Sequence, residues 1–234
     1  MTKKLSPIFI TLMPHQLIHE HRFFLGVFAI YLVLGALGFL FYDQGSETIF
    51  FDRHHSDFLD LFFVFFTRLA EWGFLTFVGV VLLFSRLKYL FVYLIDISVV
   101  GIVIGFLKMN VFPERVRPSI FFSGQYKLHF PEGIPVLTQY SFPSGHTAVA
   151  FAVFFLLAIY IKRTWVSLIL LGAALLVGIS RIYLMEHFWI DVYFGSLAGI
   201  LITLLVYIGL QKTMIHSDSK LLNLSLYERY IKRK

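Results

Sequence analysis

The chain has 234 residues, 58% of them hydrophobic and only 15% charged, where a soluble domain carries about 25% charged residues. This is the composition of a membrane protein, and with no cysteine present neither disulfides nor thiolate metal centres are available to it. The formal charge of +6 would suit a nucleic-acid partner, but the basic residues concentrate in loops on one side of the membrane, which excludes that class.

Residues 1–22 mix Lys3, Lys4, Pro7, Pro14 and three histidines without an apolar core or a small-residue cleavage site. The segment therefore does not read as a cleaved signal peptide, and it suits a short amphipathic piece on the membrane surface. A helix crossing a bilayer core needs about 20 apolar residues. Runs of that kind predict spans at Phe23–Tyr42, within Leu59–Phe84, and at Leu90–Leu107, Pro143–Ile161, Trp165–Ile182 and Phe188–Leu210. The expected fold is all-α: one membrane-embedded domain over residues 1–234, a bundle of six transmembrane helices with an interfacial helix and loop region at its outer face. In the second run Asp57, Asp60, Arg68 and Glu71 recur along the first half. Ser56–Leu69 thus reads as the interfacial helix, ahead of a span starting near Glu71, with one long tilted helix as the alternative.

Two features lie inside spans. Asp96 sits in the third, where an ionisable group is costly; it either hydrogen-bonds a neighbouring helix or helps to hold a site. Gly195, Ser196, Ala198 and Gly199 set small residues along the sixth, as close helix packing within the bundle requires; a homodimer contact is the lesser alternative.

The segments 1–22, 85–88, 162–164 and 211–234 carry thirteen of the 20 Lys and Arg and only Glu20, Asp218 and Glu228 as acids. Lys and Arg mark cytoplasmic loops, so both tails, 1–22 and 211–234, are expected in the cytoplasm. The opposite face then holds one long connection, about Lys108–Phe142, and a short one, about Ser180–His187. Of the aromatic residues in the long connection, Phe121, Phe122, Tyr126, Phe130 and Tyr140 read as interface anchors, with a lid as the alternative.

Costly polar residues gather at these two connections. Pro143-Ser144-Gly145-His146 opens the fourth span, and proline is favoured in a first helical turn. The free N–H groups and dipole of that helix end attract an anion; Gly145 allows close approach and Ser144 adds a hydroxyl. Lys108, Arg117 and Arg181 bring three positive charges, the arginines able to grip two oxygens at once. His187 and Asp191 are four apart at the start of the sixth span and share a face. The carboxylate can take the Nδ1 proton, leaving Nε2 as a nucleophile, while His146 remains to protonate a leaving oxygen. Each piece alone has an ordinary explanation: a helix pair, a snorkelling lysine, a loop-to-helix turn. Together they suit phosphoryl transfer without a metal.

At these residues the chain resembles the type 2 phosphatidic acid phosphatase superfamily. Pro143 to His146 matches one of its motifs, and Ser180-Arg181, five residues, His187, three residues, Asp191 matches another. A third motif, Lys, six residues, Arg-Pro, is met with eight residues between Lys108 and Arg117-Pro118; an insertion around Phe112-Pro113-Glu114 would absorb the difference, and Arg115 competes for part of the role of Arg117. The resemblance implies a phosphohistidine on His187, orientation by Asp191, leaving-group protonation by His146, and phosphate binding by Lys108, Arg117, Ser144, Gly145 and Arg181, with no metal or cofactor. It also implies a lipid phosphatase of a bacterial inner or plasma membrane with its site on the outer, periplasmic or extracellular, face. Substrates of such relatives are undecaprenyl pyrophosphate, phosphatidylglycerol phosphate, phosphatidic acid or lipid A phosphates; the first, or a phospholipid, is preferred here. Phosphotransfer to a lipid acceptor and non-catalytic lipid transport on the same fold stay open as alternatives. The partners are the lipid substrate and the bilayer; the oligomeric state is open.

Overall fold

The computed structural model describes residues 16–226, and every regular element among them is helical. The surface piece expected at the N-terminus lies for the most part, and the end of the basic tail at residues 227–234 wholly, outside the described residues. In chain order the helices are α1 (Arg22–Phe41), α2 (Ser46–Arg53), α3 (Asp57–Thr67), α4 (Trp72–Phe84), α5 (Leu87–Phe106), α6 (Pro118–Phe121), α7 (Gly145–Ile161), α8 (Thr164–Tyr183) and α9 (Trp189–Leu210). A 3-10 turn, Arg68–Ala70, joins α3 to α4, and wide π turns, Leu107–Val111 and Gln211–Ile215, extend α5 and α9.

Among the described residues four helices, α1, α5 with its π turn, α8 and α9, are long and apolar enough to cross a membrane, and the α3–α4 pair makes a fifth candidate bent by 50°. The six expected spans are therefore met in part. The remaining one, α7, has 17 residues, about 26 Å at ~1.5 Å per residue against a hydrocarbon core of about 30 Å. The second run does break where its charges recur. Ser56 caps α3 by accepting from the Leu59 amide, and Asp57 and Asp60 occupy the first turn, where acids suit the positive end of the helix dipole. The chain then turns through Arg68-Leu69-Ala70, and Glu71 is extended before α4 begins.

The short α7 is the centre of the bundle, with Ala148, Ala150, Phe151, Ala152 and Phe155 fully buried among α5, α8 and α9. Phe24 and Phe28 of α1 pack on Phe155 and Phe151 at 4.9 and 5.5 Å between ring centroids. Glycines bring α9 against the backbone of α7: a Cβ on Gly199 would stand 2.3 Å from the Ala148 carbonyl oxygen, and one on Gly195 2.6 Å from that of Ser144. The small residues thus serve packing inside the bundle. Asp96 is fully buried and accepts a hydrogen bond from Thr203 of α9 at 3.0 Å, which is the inter-helix contact expected of it.

Over the site end of the bundle, the connection between α5 and α7 is pinned to α2 and α3. The His129 amide donates to Asp52 at 2.7 Å, His129 Nε2 meets Asp60 at 2.8 Å, and its ring stacks on His55. Phe122 corrects the reading of the loop aromatics as anchors. It is buried, packing with Leu128, Met185 and Phe188 over the turn that carries His187, because the connection folds back on the bundle instead of spreading along the interface.

Candidate active site

The α8–α9 turn sets the geometry. Arg181 ends α8 in its last turn, and its carbonyl accepts from both the Glu186 and the His187 amides at 3.1 Å. Met185 between them takes φ 58°, a left-handed conformation that costs a side-chain-bearing residue roughly 1–3 kcal/mol and is held only where the surroundings enforce it. Tyr140, on the facing connection, takes φ 56°. Two strained residues thus flank one site.

His187 precedes the helix and Asp191 stands in its first turn, Phe188 being the N-cap. The expectation that the pair shares a helical face needs correction: they meet through the cap. Asp191 Oδ2 accepts from the Phe188 amide at 3.0 Å, which turns the carboxylate back toward the imidazole, and Nδ1 of His187 lies 3.2 Å from the same oxygen. The chain start of α9 is held in turn by Glu47 of α2, which accepts from the Trp189 amide at 2.8 Å. Ser141, a residue without any sequence signal, donates to Asp191 Oδ2 at 2.5 Å and lies 3.3 Å from His187 Nδ1. Both neighbours of Nδ1 are acceptors for its proton, so the other nitrogen, Nε2, carries the lone pair. Burial, Arg117, Lys108, Arg181 and His146 together hold the imidazole well below its usual pKa, so it is neutral.

Pro143 also stands differently from the expectation. Ser144 is the N-cap of α7 and Pro143 precedes it, so proline lies just outside the first turn, joined to Phe142 by a cis peptide. The Ser144 amide is bonded to the Asp191 carbonyl at 2.9 Å, which locks the start of α7 to the start of α9. The amides of Gly145, His146 and Thr147 have no helical acceptor, as at any helix start. Thr147 donates to Ser144 Oγ at 2.9 Å, leaving the serine proton free for a ligand. His146 is half-buried in that first turn.

The three cations arrive from separate elements. Lys108 lies in the π turn, its Nζ on the carbonyls of Tyr140 and Ser141 at 2.5 and 3.4 Å, and its Cε would be 3.9 Å from a Cβ on Gly145. Between Lys108 and Arg117 the chain runs through the rest of this wide turn and a bend at Phe112–Glu114. Arg117 Nε donates to the Gln139 carbonyl at 2.9 Å, and its Nη1 reaches the Glu186 carbonyl at 3.0 Å, the Glu186 carboxylate, and His187 Nε2 at 3.4 Å. Arg115 is exposed and stays outside the cluster. Arg181 donates to Thr67 of α3 at 2.5 Å and lies 3.4 Å from Glu186 Oε2. The residues singled out in the sequence therefore lie together around the starts of α7 and α9 and the π turn. Ser141, Thr67 and Glu186 join them, and only a tertiary approach reveals those three.

A separate apolar groove of about 1070 Å³ runs between α1, α2 and the start of α9, lined among others by Val27, Ile30, Leu34, Gly38, Phe50 and Trp189. Trp189 is two residues beyond His187, although none of the eight candidate residues lines the groove.

Residues 85–215, more than half of the chain and including all eight candidates, match the PAP2 superfamily. The chain is 33% identical over 138 residues to the bacitracin transport permease protein BcrC of Bacillus licheniformis, covering 58% of this chain and 59% of that protein. It is 32% identical over 123 residues to the undecaprenyl-diphosphatase of Sulfolobus acidocaldarius, covering 52% and 55%. These matches span less than two thirds of the relatives' own length. Among solved structures, that of Aquifex aeolicus LpxE superposes with a TM-score of 0.62 at 26% identity, over 71% of this chain and 95% of that one.

Proposed function

Because the chain belongs to the PAP2 superfamily and is an integral membrane protein, we propose that it is a metal-independent phosphatase acting on a lipid phosphate or pyrophosphate. The observation that carries this reading is the environment of His187: both Nδ1 neighbours are acceptors and Nε2 faces the Arg117 guanidinium at 3.4 Å. A phosphorus atom within reach of Nε2 has its oxygens among Arg117, Arg181, Lys108, the Ser144 hydroxyl and the free amides of Gly145, His146 and Thr147. Such preorganised donors stabilise charge that grows during transfer.

In the first step the Nε2 lone pair forms the N–P bond as the P–O bond to the leaving group breaks, and His146 gives its proton to the departing oxygen. Asp191 and Ser141 stabilise the positive charge on the His187 ring. In the second step His146 takes a proton from water, the water oxygen attacks phosphorus, the N–P bond breaks, and orthophosphate leaves with His187 neutral again.

In this reading the lipid tail lies in the groove between α1 and α9, and α7 is a short sixth crossing; the basic segments 85–88 and 162–164 at the opposite end of the bundle support a site on the non-cytoplasmic face and tails in the cytoplasm. An undecaprenyl pyrophosphate substrate is favoured by the undecaprenyl-diphosphatase relative; phosphatidylglycerol phosphate, phosphatidic acid and lipid A remain in the test panel. The name of the BcrC relative raises transport as a second reading, but a carrier has no use for an Asp191-oriented, neutral imidazole. Purified protein in detergent with EDTA is expected to release phosphate from at least one panel lipid, and His187→Ala to lose that release by a factor of about 10⁴ or more. Phosphate passed to a lipid acceptor without release would favour phosphotransfer, and no turnover of any lipid would return transport to the front.

A further inference from the structure

Glu186 has no part in the chemistry described so far, yet its buried carboxylate occupies the centre of the cationic cluster. Its Oε2 is held by Arg117 Nη1 and lies 3.4 Å from Arg181 Nη2, and its side chain is 3% exposed. Those are the two guanidinium edges that a transferring phosphate requires. Arg117 Nη1 is itself 3.4 Å from His187 Nε2, so an oxygen seated on it lies beside the nucleophile. Guanidinium edges of this kind are the donors that grip phosphate oxygens. The strained turn at Met185, with both following amides tied to the Arg181 carbonyl, directs the carboxylate inward.

We propose that Glu186 is an internal competitor for the phosphate subsite, a positioning residue whose carboxylate occupies Arg117 and Arg181 until a phosphate displaces it. Two consequences follow from charge alone. Three cations, Lys108, Arg117 and Arg181, face two acids, Glu186 and Asp191, so with Glu186 in place the cluster is nearly balanced in charge and each arginine has a carboxylate beside it. A head group must therefore carry enough charge to displace a resident anion, which favours phosphate monoester and diphosphate ends over singly charged diesters. When orthophosphate leaves, the carboxylate returns to the same donors, which lowers the cost of product release.

This inference rests on the functional reading above, and its test separates the two. Orthophosphate binding to the purified full-length chain in detergent is measured calorimetrically for wild type, Glu186→Gln and Glu186→Asp, with phosphate release from the lipid panel and Tm followed in the same preparations. Glu186→Gln keeps the shape but removes the charge, and is expected to bind orthophosphate at least about tenfold tighter, about 1.4 kcal/mol. Glu186→Asp keeps the charge but is too short to span both guanidiniums, and is expected to bind a few-fold tighter; it decides the matter should Glu186→Gln fail to fold. Binding equal to or weaker than wild type in folded variants would overturn the inference, since a carboxylate that merely braces the arginines would weaken phosphate when removed. That result would leave the functional reading standing, provided that the wild type still hydrolyses lipid. Absence of both turnover and phosphate binding in every form would overturn the two together.

Discussion

At the scale of single residues, the chemistry depends on how His187 is held. Burial acts first, and Arg117, Lys108, Arg181 and His146 add to it, all disfavouring the imidazolium. A base with a lowered pKa stays unprotonated to lower pH, so the acid limb of kcat/KM is expected below the ordinary histidine value of about 6.5. Lys108→Met removes one of the cations, so the imidazole becomes easier to protonate and the acid limb moves to higher pH. A pH–rate profile of the variant with the limb unmoved would show that Lys108 does not act on the nucleophile. The eight candidate residues were legible as a group because their spacing is contained within short motifs. Ser141, Thr67 and Glu186 were not, for a physical reason. Ser141 reaches Asp191 across 50 positions and Thr67 reaches Arg181 across 114, and no periodicity encodes a meeting between chain segments that far apart. Glu186 belongs to no motif, and the left-handed Met185 that turns it inward leaves no pattern in residue types.

At the scale of elements, the site depends on the contact between α7 and α9. The Ser144 amide on the Asp191 carbonyl at 2.9 Å joins the start of α7, with the proposed phosphate-binding residues, to the start of α9, with the proposed nucleophile, and Gly195 and Gly199 allow the two backbones to come that close. A methyl group at either glycine meets a backbone carbonyl that cannot rotate away. Gly199→Ala, farther from the pocket, is expected to lower stability by about 1–3 kcal/mol. Gly195→Ala pushes on the Ser144 carbonyl itself and is expected to lower kcat by about tenfold as well, through displacement of the phosphate cradle. Gly101→Ala, whose Cβ meets nothing within 4 Å, serves as the control with Tm and activity of wild type. An unchanged Tm in Gly199→Ala would show that the helices can separate without cost. The break between α3 and α4 was legible from recurring charges at Arg68 and Glu71, and the small-residue stretch from composition. The far ends of α7 and α9, Ile161 and Leu210, fall where the apolar runs stop, and Phe188, the expected start of the sixth span, is the N-cap of α9; α7 starts after Pro143 because Ser144 is its cap.

At the scale of the whole molecule, orientation and substrate entry are linked, since the pocket must open on the face where the lipid head group is presented. Hydropathy made the membrane class legible, and the recurring charges the bend of the second span; that α7 is the helix around which the others pack was not legible, because hydropathy does not register which helix is central. The absence of native cysteine allows single-cysteine mapping without background. Lys127→Cys, on the site side, is expected to react with a membrane-impermeant maleimide in intact cells, and Lys220→Cys only after permeabilisation; the reverse pattern would invert the topology. The groove between α1 and α9 then makes a prediction about the tail. Gly38 lines it, and a Cβ there has ordinary room, with Trp189 Nε1 at 4.0 Å, so Gly38→Phe fills the groove without disturbing the backbone. The substitution is expected to raise KM for a long-chain lipid phosphate by about tenfold, the loss of about 1.4 kcal/mol of apolar contact, while a short-chain phosphate ester keeps its KM and both keep kcat. The split is expected because a tail in this groove lies apart from the reacting phosphorus: His187, His146 and Asp191 do not line it. Equal effects on both substrates would mean that the new ring reaches the pocket through Trp189, and no effect on either would move the tail to another face of the bundle.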